Sequence, residues 1–180
     1  MIASASGSGK TTVGRELASR LGVPFLELDA LVHGPNWTTT PDDEIRRTLE
    51  PTLTRDAWVI DGSCSRAYGD SVLAASDTIV WLDLPVRVWF PRLARRNYRR
   101  WRTQEELWNG NCQLLRNMLW GREWLFAWAF RQHFRRRREY PARLTPYDVR
   151  RLRTPVDVER FLASVATPTG STQREAGTSG

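Results

Sequence analysis

Cysteine, lysine and long apolar runs are all scarce in this sequence of 180 residues. The two cysteines, Cys64 and Cys112, lie far apart and lack the paired spacing of metal-binding or redox motifs, so we interpret both as ordinary thiols of a reducing compartment. The longest apolar run, WLFAWAF at 124–130, is too short to span a bilayer, and small polar residues follow Met1 where a signal peptide would be apolar. These absences predict a soluble, cytoplasmic protein without a membrane partner.

Lysine occurs once among the 27 basic residues, at Lys10, and every other basic residue is arginine. This lysine lies in SASGSGKT at 4–11, which fits the phosphate-loop pattern G-x-x-x-x-G-K-[ST] except that Ser4 replaces the first glycine. In such a loop, successive backbone N–H groups and the N-terminus of the following helix bind phosphate oxygens. The predicted nucleotide-binding residues are Ser6, Gly7, Ser8, Gly9, Lys10, Thr11 and Thr12.

The residue types within the loop indicate separate roles. A slim ammonium fits beside the β- and γ-phosphates where a planar guanidinium would be wider, so we expect Lys10 to contact phosphate, to contribute little to folding and not to be replaceable by arginine. The Thr11 hydroxyl is the predicted ligand of Mg²⁺.

The sequence alternates strands and helices in the order expected of a parallel sheet covered by helices. The predicted strands are 23–29, 57–62, 77–85 and 147–153, in addition to a short strand before the loop. The predicted helices are 11–22 ending at Gly22, one at 39–53 with Thr40 as N-cap and Pro41 as its first residue, several within 86–145, and 154–165. Only three residues precede Ser4, fewer than a central strand normally has, so we expect either that the true start lies upstream or that the short strand weakens folding and ATP binding.

Acidic residues end three of the predicted strands, and in a parallel sheet these ends meet at one edge. Asp29 is either a helix cap or the general base that positions an acceptor hydroxyl, and Asp61 is either a turn residue or a holder of Mg²⁺; we favour the functional role for both. For Asp83 we favour a structural role in the turn to Pro85. For His33 and Trp37 two alternatives stay open: they line an acceptor pocket, or they pack in a loop without a role in binding.

Charge is distributed unevenly, with a net charge of −5 in 1–86, +13 in 87–153 and −1 in 154–180. The basic segment therefore predicts an anionic partner, which is the phosphates of a nucleotide, a nucleic acid or an anionic membrane surface. Most of its arginines are expected on solvated helix faces, including the run FRRRREY at 134–140.

Six stretches carry a resemblance to a known group: SGSGKTT, LDALVHGPNW, WVIDGSCSR, VWLDLPVRVWFPRLARR, EELWNGN and VRRLRTPVDVERFL. Together they resemble the adenylate-kinase-related P-loop proteins of the bacterial topology modulation group, over about residues 2–165. The resemblance implies an α/β P-loop NTPase fold with a parallel sheet flanked by helices and a helical, arginine- and tryptophan-rich lid. It also implies binding of ATP with Mg²⁺, and it gives Arg92 and Arg96 the positions of paired lid arginines near the nucleotide.

Two functions of different class follow from these observations. The favoured one is a P-loop kinase domain at 1–166, with its lid inserted at about 87–145, a disordered tail at 167–180, and transfer of the γ-phosphoryl of ATP to a nucleotide, nucleoside or other small acceptor. Its predicted catalytic residues are Lys10, Asp29, Arg92 and Arg96, and its predicted metal ligands are Thr11 and Asp61. The alternative is an ATP-regulated nucleic-acid-binding protein that uses the basic segment 87–153.

Overall fold

A computed structural model describes residues 1–4, 6–62, 67–106, 108–110 and 125–165. The predicted tail at 167–180 lies outside the described residues. The strands are β1 (Ile2–Ser4), β2 (Phe25–Glu27), β3 (Val59–Gly62), β4 (Thr78–Leu82) and β5 (Asp148–Leu152). The α-helices are α1 (Lys10–Leu21), α2 (Leu28–Val32), α3 (Asp42–Leu53), α4 (Ala67–Ala74), α5 (Val86–Thr103), α6 (Leu125–Arg143) and α7 (Pro155–Ser164).

The five strands form one parallel sheet in the order β2-β3-β1-β4-β5, so the predicted α/β fold is confirmed. The centre of the sheet is apolar on both faces, as a parallel sheet between helices requires. In β4, Ile79, Val80, Trp81 and Leu82 alternate between the two cores and are each at most 3% exposed. This confirms the prediction, made from the continuous apolar run, of a strand buried on both faces.

Strand β1 is three residues long and lies at the centre of the sheet, between β3 and β4. Ile2 is in register with Asp61 of β3 and with Val80 of β4. The Met1 ammonium donates a hydrogen bond of 2.8 Å to the Thr78 carbonyl. The phosphate-loop sequence thus follows directly from the central strand, which places it at the carboxyl edge of the sheet.

Helix boundaries agree with the capping signals except at one N-terminus. Gly22 caps α1 in the left-handed conformation (φ 66°), as predicted. Helix α3 begins one residue later than predicted, because Pro41 has an extended ψ of 145° and serves as the N-cap. Thr154 forms a capping box with Asp157 at the start of α7.

Helices α5 and α6 pack together through a third apolar cluster. Trp89, Leu93 and Ala129 are fully buried there, and Phe90 and Phe130 pack around them. The first half of α5 therefore belongs to the packed body of the fold. The predicted lid at 87–145 is only partly covered by the described residues and stays a prediction. No described helix combines the length and the apolar character needed to cross a membrane.

Candidate active site

The loop that joins β1 to α1 has the geometry of a phosphate cradle. Gly7 and Gly9 have φ angles of 82° and 90°, which side chains rarely adopt. A Cβ on Gly7 would lie 2.8 Å from the Leu93 Cβ, so α5 closes one side of the loop, whereas a Cβ on Gly9 would meet nothing within 4 Å. Helix α1 begins at Lys10, directly after Gly9, and the N-terminus of a helix attracts phosphate through its N–H groups and dipole.

Lys10 joins the loop to two acidic residues. Its Nζ lies 2.8 Å from Asp29 Oδ2 and 2.9 Å from Asp61 Oδ1. The Lys10 side chain is 11% exposed, and that of Asp61 is fully buried. The ammonium compensates a buried carboxylate, which argues against the expectation that Lys10 contributes little to folding; that expectation stays a prediction.

The same contacts determine the protonation of Lys10. Burial is the largest single influence and would lower the pKa of the ammonium, but the negative charges of Asp29 and Asp61, with their hydrogen bonds, outweigh it and raise the pKa above its usual value. Lys10 is consequently charged at neutral pH. Its ammonium can bind a phosphate when it leaves the two carboxylates.

The acidic residue that ends strand β2 is Glu27, and the sequence interpretation missed it. Because the chain turns directly into α2 after Glu27, Asp29 lies in the first turn of that helix and does not end the strand as predicted. The Thr11 hydroxyl lies 3.3 Å from Glu27 Oε1. Burial first, and then the nearby Asp61, raises the pKa of Glu27. Glu27 lies in register with Asp61 of β3. This strand pairing identifies Glu27 as a site residue, and the sequence alone does not reveal it.

The side chains near Thr11 fit a Mg²⁺ ion that is shared with a nucleotide. Asp61 Oδ2 is buried and has no hydrogen-bond partner among the residues that the structure describes, which leaves one carboxylate oxygen available to an ion or its water. Within the described ranges, no group of three or more His, Cys, Asp or Glu side chains could hold a metal by itself. A hydroxyl, one carboxylate and substrate phosphates are the usual surroundings of Mg²⁺, which rarely has an all-protein cage.

A cavity of about 460 Å³ opens beside the loop. It is lined by Gly7, Ser8, Gly9, Thr12, Val13, Leu84, Arg92, Arg96, Pro155, Val158 and Glu159. It therefore has the loop and α1 on one side, α5 on another and the start of α7 on a third. Its size and its mixture of apolar wall and polar loop suit a nucleotide-sized ligand.

Arg92 and Arg96 are one helical turn apart on α5 and line this cavity together. Arg92 is exposed and Arg96 is half-buried. Burial, and then the positive charge of Arg100, lowers the pKa of the Arg96 guanidinium. The Arg96 Nε is buried and has no hydrogen-bond partner within the part of the chain that the structure describes. This donor and the concentrated positive charge favour an anion in the cavity.

The structure thus brings together Lys10, Asp29, Asp61 and Thr11 at the carboxyl edge of the sheet, with Arg92 and Arg96 on the cavity wall. Among the predicted nucleotide-binding residues, Gly7, Ser8, Gly9 and Thr12 line the same cavity, whereas Ser6, Lys10 and Thr11 do not line it. The predicted roles of these residues stay predictions.

The sequence interpretation favoured a structural role for Asp83 in the turn to Pro85, and the structure shows structural contacts of another kind, with two arginines. Its buried carboxylate accepts hydrogen bonds from Arg137 at 2.7 Å and from Arg151 at 2.6 Å. These two bonds join α6 and β5 to the end of β4. The expected solvated surface at 134–140 is correct for Arg135 and Arg138 but wrong for Arg136, which is 7% exposed because it donates a hydrogen bond to the Ser4 carbonyl.

His33 and Trp37 contact each other in the segment after α2. Their rings meet edge to face with centroids 5.5 Å apart, and Trp37 has a φ of 57°. The Asn109 side chain donates a hydrogen bond of 2.6 Å to the His33 carbonyl, which ties this segment to the region after α5. Neither ring lines the cavity beside the loop, so their predicted part in an acceptor pocket stays open.

Comparison with known proteins connects this architecture with small-molecule kinases. The shikimate kinase family profile matches residues 6–41, which contain the loop, Lys10, Glu27 and Asp29. A shikimate kinase of Nitratidesulfovibrio vulgaris is 36% identical over 102 residues, which cover 49% of this chain and 58% of that protein. The uncharacterized protein YqaC of Bacillus subtilis is 30% identical over 102 residues, which cover 56% of this chain and 57% of that protein. The chain thus spans little more than half the length of the curated relatives it matches.

Solved structures match over nearly the whole chain. A shikimate kinase from Bacteroides thetaiotaomicron has a TM-score of 0.56 at 17% identity and covers 90% of this chain and 92% of that one. A gluconokinase from Sinorhizobium meliloti 1021 has a TM-score of 0.50 at 18% identity and covers 92% of this chain and 91% of that one. At these identities the likeness establishes the fold, and the fold of this chain is the α/β fold of P-loop kinases.

Proposed function

We propose that this chain is an ATP-dependent phosphotransferase that moves the γ-phosphoryl group of ATP to a small acceptor, which is a nucleotide, a nucleoside or another hydroxylated molecule. The observation that carries the proposal is the position of Lys10 between Asp29 and Asp61 at the open N-terminus of α1. An ammonium that binds phosphate and a carboxylate that binds a hydroxyl are the two groups that phosphoryl transfer needs side by side.

The site residues then have distinct tasks. The backbone of Gly7 and Gly9 binds the phosphates, and Lys10 exchanges its two carboxylate partners for the β- and γ-phosphate oxygens. Thr11 and Asp61 would hold Mg²⁺, which neutralises charge on the same phosphates. Arg92 and Arg96 face the cavity from α5 and stabilise the charge of the transferred group, a contribution of about 10³–10⁵ in rate for a well-placed arginine.

Asp29 is assigned to the acceptor. Once Lys10 has moved to the phosphates, the Asp29 carboxylate is free to accept a hydrogen bond from an acceptor hydroxyl and to take its proton. The acceptor oxygen forms a bond to the γ-phosphorus while the bond from that phosphorus to the bridging oxygen of ADP breaks. The products are ADP, the phosphorylated acceptor and one proton, first held on Asp29.

The alternative of an ATP-regulated nucleic-acid-binding protein is not supported by the comparisons. Several arginines of the basic segment are also bound to acidic side chains within the chain. Examples are Arg137 and Arg151 with Asp83, and Arg143 with Asp70 at 2.5 Å. Such arginines are less available to a phosphate backbone than a run of free charges.

A finer assignment to the topology modulation group is also part of this proposal. It is supported by the six sequence stretches given above, whereas the family profile and the solved structures support the broader relation to P-loop kinases. The group resemblance does not identify the acceptor.

An acceptor screen with γ-labelled ATP tests the proposal. The panel contains shikimate and gluconate, which the names of the relatives suggest, with nucleoside monophosphates, nucleosides and simple polyols. We expect label to move to one class of acceptor with formation of one ADP per phosphorylated product, and Asp29→Asn to reduce that transfer. ADP formation equal to inorganic phosphate release with every acceptor would contradict a phosphotransferase.

A further inference from the structure

The start of the phosphate loop is anchored at Ser4, where the loop pattern usually has glycine. The Ser4 hydroxyl donates a hydrogen bond of 2.7 Å to the Leu82 carbonyl of β4. The Ser4 carbonyl accepts a hydrogen bond from the Arg136 guanidinium of α6. Ser4 is 1% exposed and Arg136 is 7% exposed, so both contacts lie beneath the loop and away from the ligand cavity.

The position of Arg136 is fixed by its own helix. Its neighbour Arg137 bonds to the buried Asp83 carboxylate, as described above. One turn further along α6, Tyr140 packs edge to face on Trp81 of β4, with ring centroids 5.4 Å apart. Helix α6 is thus attached to β4 and to the residue after it at two positions that closely follow Arg136, which holds the Arg136 backbone near the Ser4 carbonyl.

A buried guanidinium is costly to desolvate unless its donors are bound, and one of the Arg136 donors binds the Ser4 carbonyl. The guanidinium is planar and rigid, so the direction of this donor is fixed once α6 is packed. The Ser4 carbonyl precedes the loop whose N–H groups must converge on phosphate. The Ser4 carbonyl is thus the backbone group through which α6 contacts the start of the loop.

We propose that Arg136 is a positioning residue for nucleotide binding, which holds the phosphate loop in its binding conformation through the Ser4 carbonyl. This inference rests on the proposed function, because it requires the loop to bind the phosphates of ATP. Arg136 itself does not touch the nucleotide. It acts through the loop backbone, with the bond from the Ser4 hydroxyl to the Leu82 carbonyl as a second anchor.

The test measures ATP affinity and unfolding in three variants of α6. Arg136→Met removes the donor at the loop, Arg137→Met removes a partner of Asp83 without touching the loop, and Arg138→Met changes an exposed residue of the same helix. We expect Arg136→Met to weaken ATP binding about tenfold, the equivalent of one charge-assisted hydrogen bond. Arg137→Met is expected to lower the unfolding midpoint about as much as Arg136→Met does. Its ATP affinity is expected to stay within about twofold of that of the wild type.

Kinetics with the acceptor found in the screen separate positioning from general damage. Arg136→Met should raise KM for ATP while KM for the acceptor stays unchanged, because the loop serves only the nucleotide. Arg136→Lys keeps the buried charge but lacks the planar fork, and Ser4→Ala removes the other anchor. Both variants are expected to fold and to bind ATP about threefold more weakly than the wild type. If Arg136→Met does not fold, the inference is tested with these two variants.

Wild-type ATP affinity in Arg136→Met, or in both Arg136→Lys and Ser4→Ala, would overturn the inference and leave the proposed function intact. The inference would also be overturned if ATP affinity fell in both Arg136→Met and Arg137→Met in the same proportion to their losses of stability. A wild-type protein that does not bind ATP would instead overturn the proposed function itself, and this inference with it.

Discussion

Replacement of Lys10 by alanine tests how the site is held together without nucleotide. The change removes the only ammonium side chain of the protein and with it the ion pairs of 2.8 Å to Asp29 and 2.9 Å to Asp61. Asp29 is 30% exposed and regains water, whereas Asp61 is fully buried and does not. The consequence for folding therefore comes chiefly from Asp61.

Removal of one partner of a buried ion pair costs about 3–5 kcal/mol, because the remaining charge stays desolvated. The exposed part of the Asp29 pair adds at most about 1 kcal/mol. Against a typical stability of about 5–15 kcal/mol, the loss expected for Lys10→Ala is a large fraction of the whole. A second change, Asp61→Asn, removes the uncompensated charge and is expected to restore most of the stability but none of the turnover.

The assay is urea unfolding of the nucleotide-free protein at neutral pH, with the wild type, Lys10→Ala and the double variant compared. We expect a clearly lower midpoint for Lys10→Ala and a midpoint near that of the wild type for the double variant. A free energy of unfolding for Lys10→Ala within about 0.5 kcal/mol of the wild type, the range of an ordinary surface substitution, would refute the reasoning.

Three further predictions concern other residues. Asp29→Asn is expected to reduce transfer while sparing ATP affinity, and Asp61→Asn to weaken nucleotide binding specifically when Mg²⁺ is present; titrations with and without the metal separate the two. Arg96→Ala should lower the rate of transfer by about 10³ or more, measured as ADP formation with saturating acceptor, while the exposed Arg138→Ala changes little. Asp157→Ala should lower the melting temperature at neutral pH, and this difference should shrink as pH falls below 3.8.

The sign of the last effect follows from the capping box. The Arg153 and Thr154 N–H groups bond to the Asp157 carboxylate and lower its pKa. A lowered pKa in the folded state contributes stability above the unfolded value, and that contribution is lost as the carboxylate is protonated. If the difference in melting temperature between Asp157→Ala and the wild type did not change with pH, helix propensity and not the carboxylate charge would explain it. For the acids, identical responses of Asp29→Asn and Asp61→Asn to Mg²⁺ would remove the basis for separate roles.

Much of the fold was predictable from local sequence signals. The apolar run of β4 indicated a strand buried on both faces, and Gly22 indicated the end of α1, because both depend on neighbouring residues alone. The start of α3 was wrong by one residue because Pro41 serves as well for an N-cap as for a first helical residue.

The site was less predictable, since its contacts join residues far apart in sequence. Strand β2 ends at Glu27, and the next residue, Leu28, is fully buried against Gly62 of β3, a packing contact that no local pattern reveals. Arg136 lies in a run of four arginines, and only the packing of α6 on β4 distinguishes it from its exposed neighbour Arg138. Residues in the same sequence pattern thus differ in how far they are buried, and the pattern does not show it.

Lys10→Arg gives the most direct test of the central claim that this lysine serves phosphoryl transfer. Arginine keeps the positive charge opposite Asp29 and Asp61, so the folding loss expected for alanine does not complicate the result. With the acceptor identified in the screen, the account predicts that Lys10→Arg folds and forms ADP at least about a hundredfold more slowly than the wild type, because the guanidinium misplaces the phosphates. ADP formation by Lys10→Arg at the wild-type rate would contradict it.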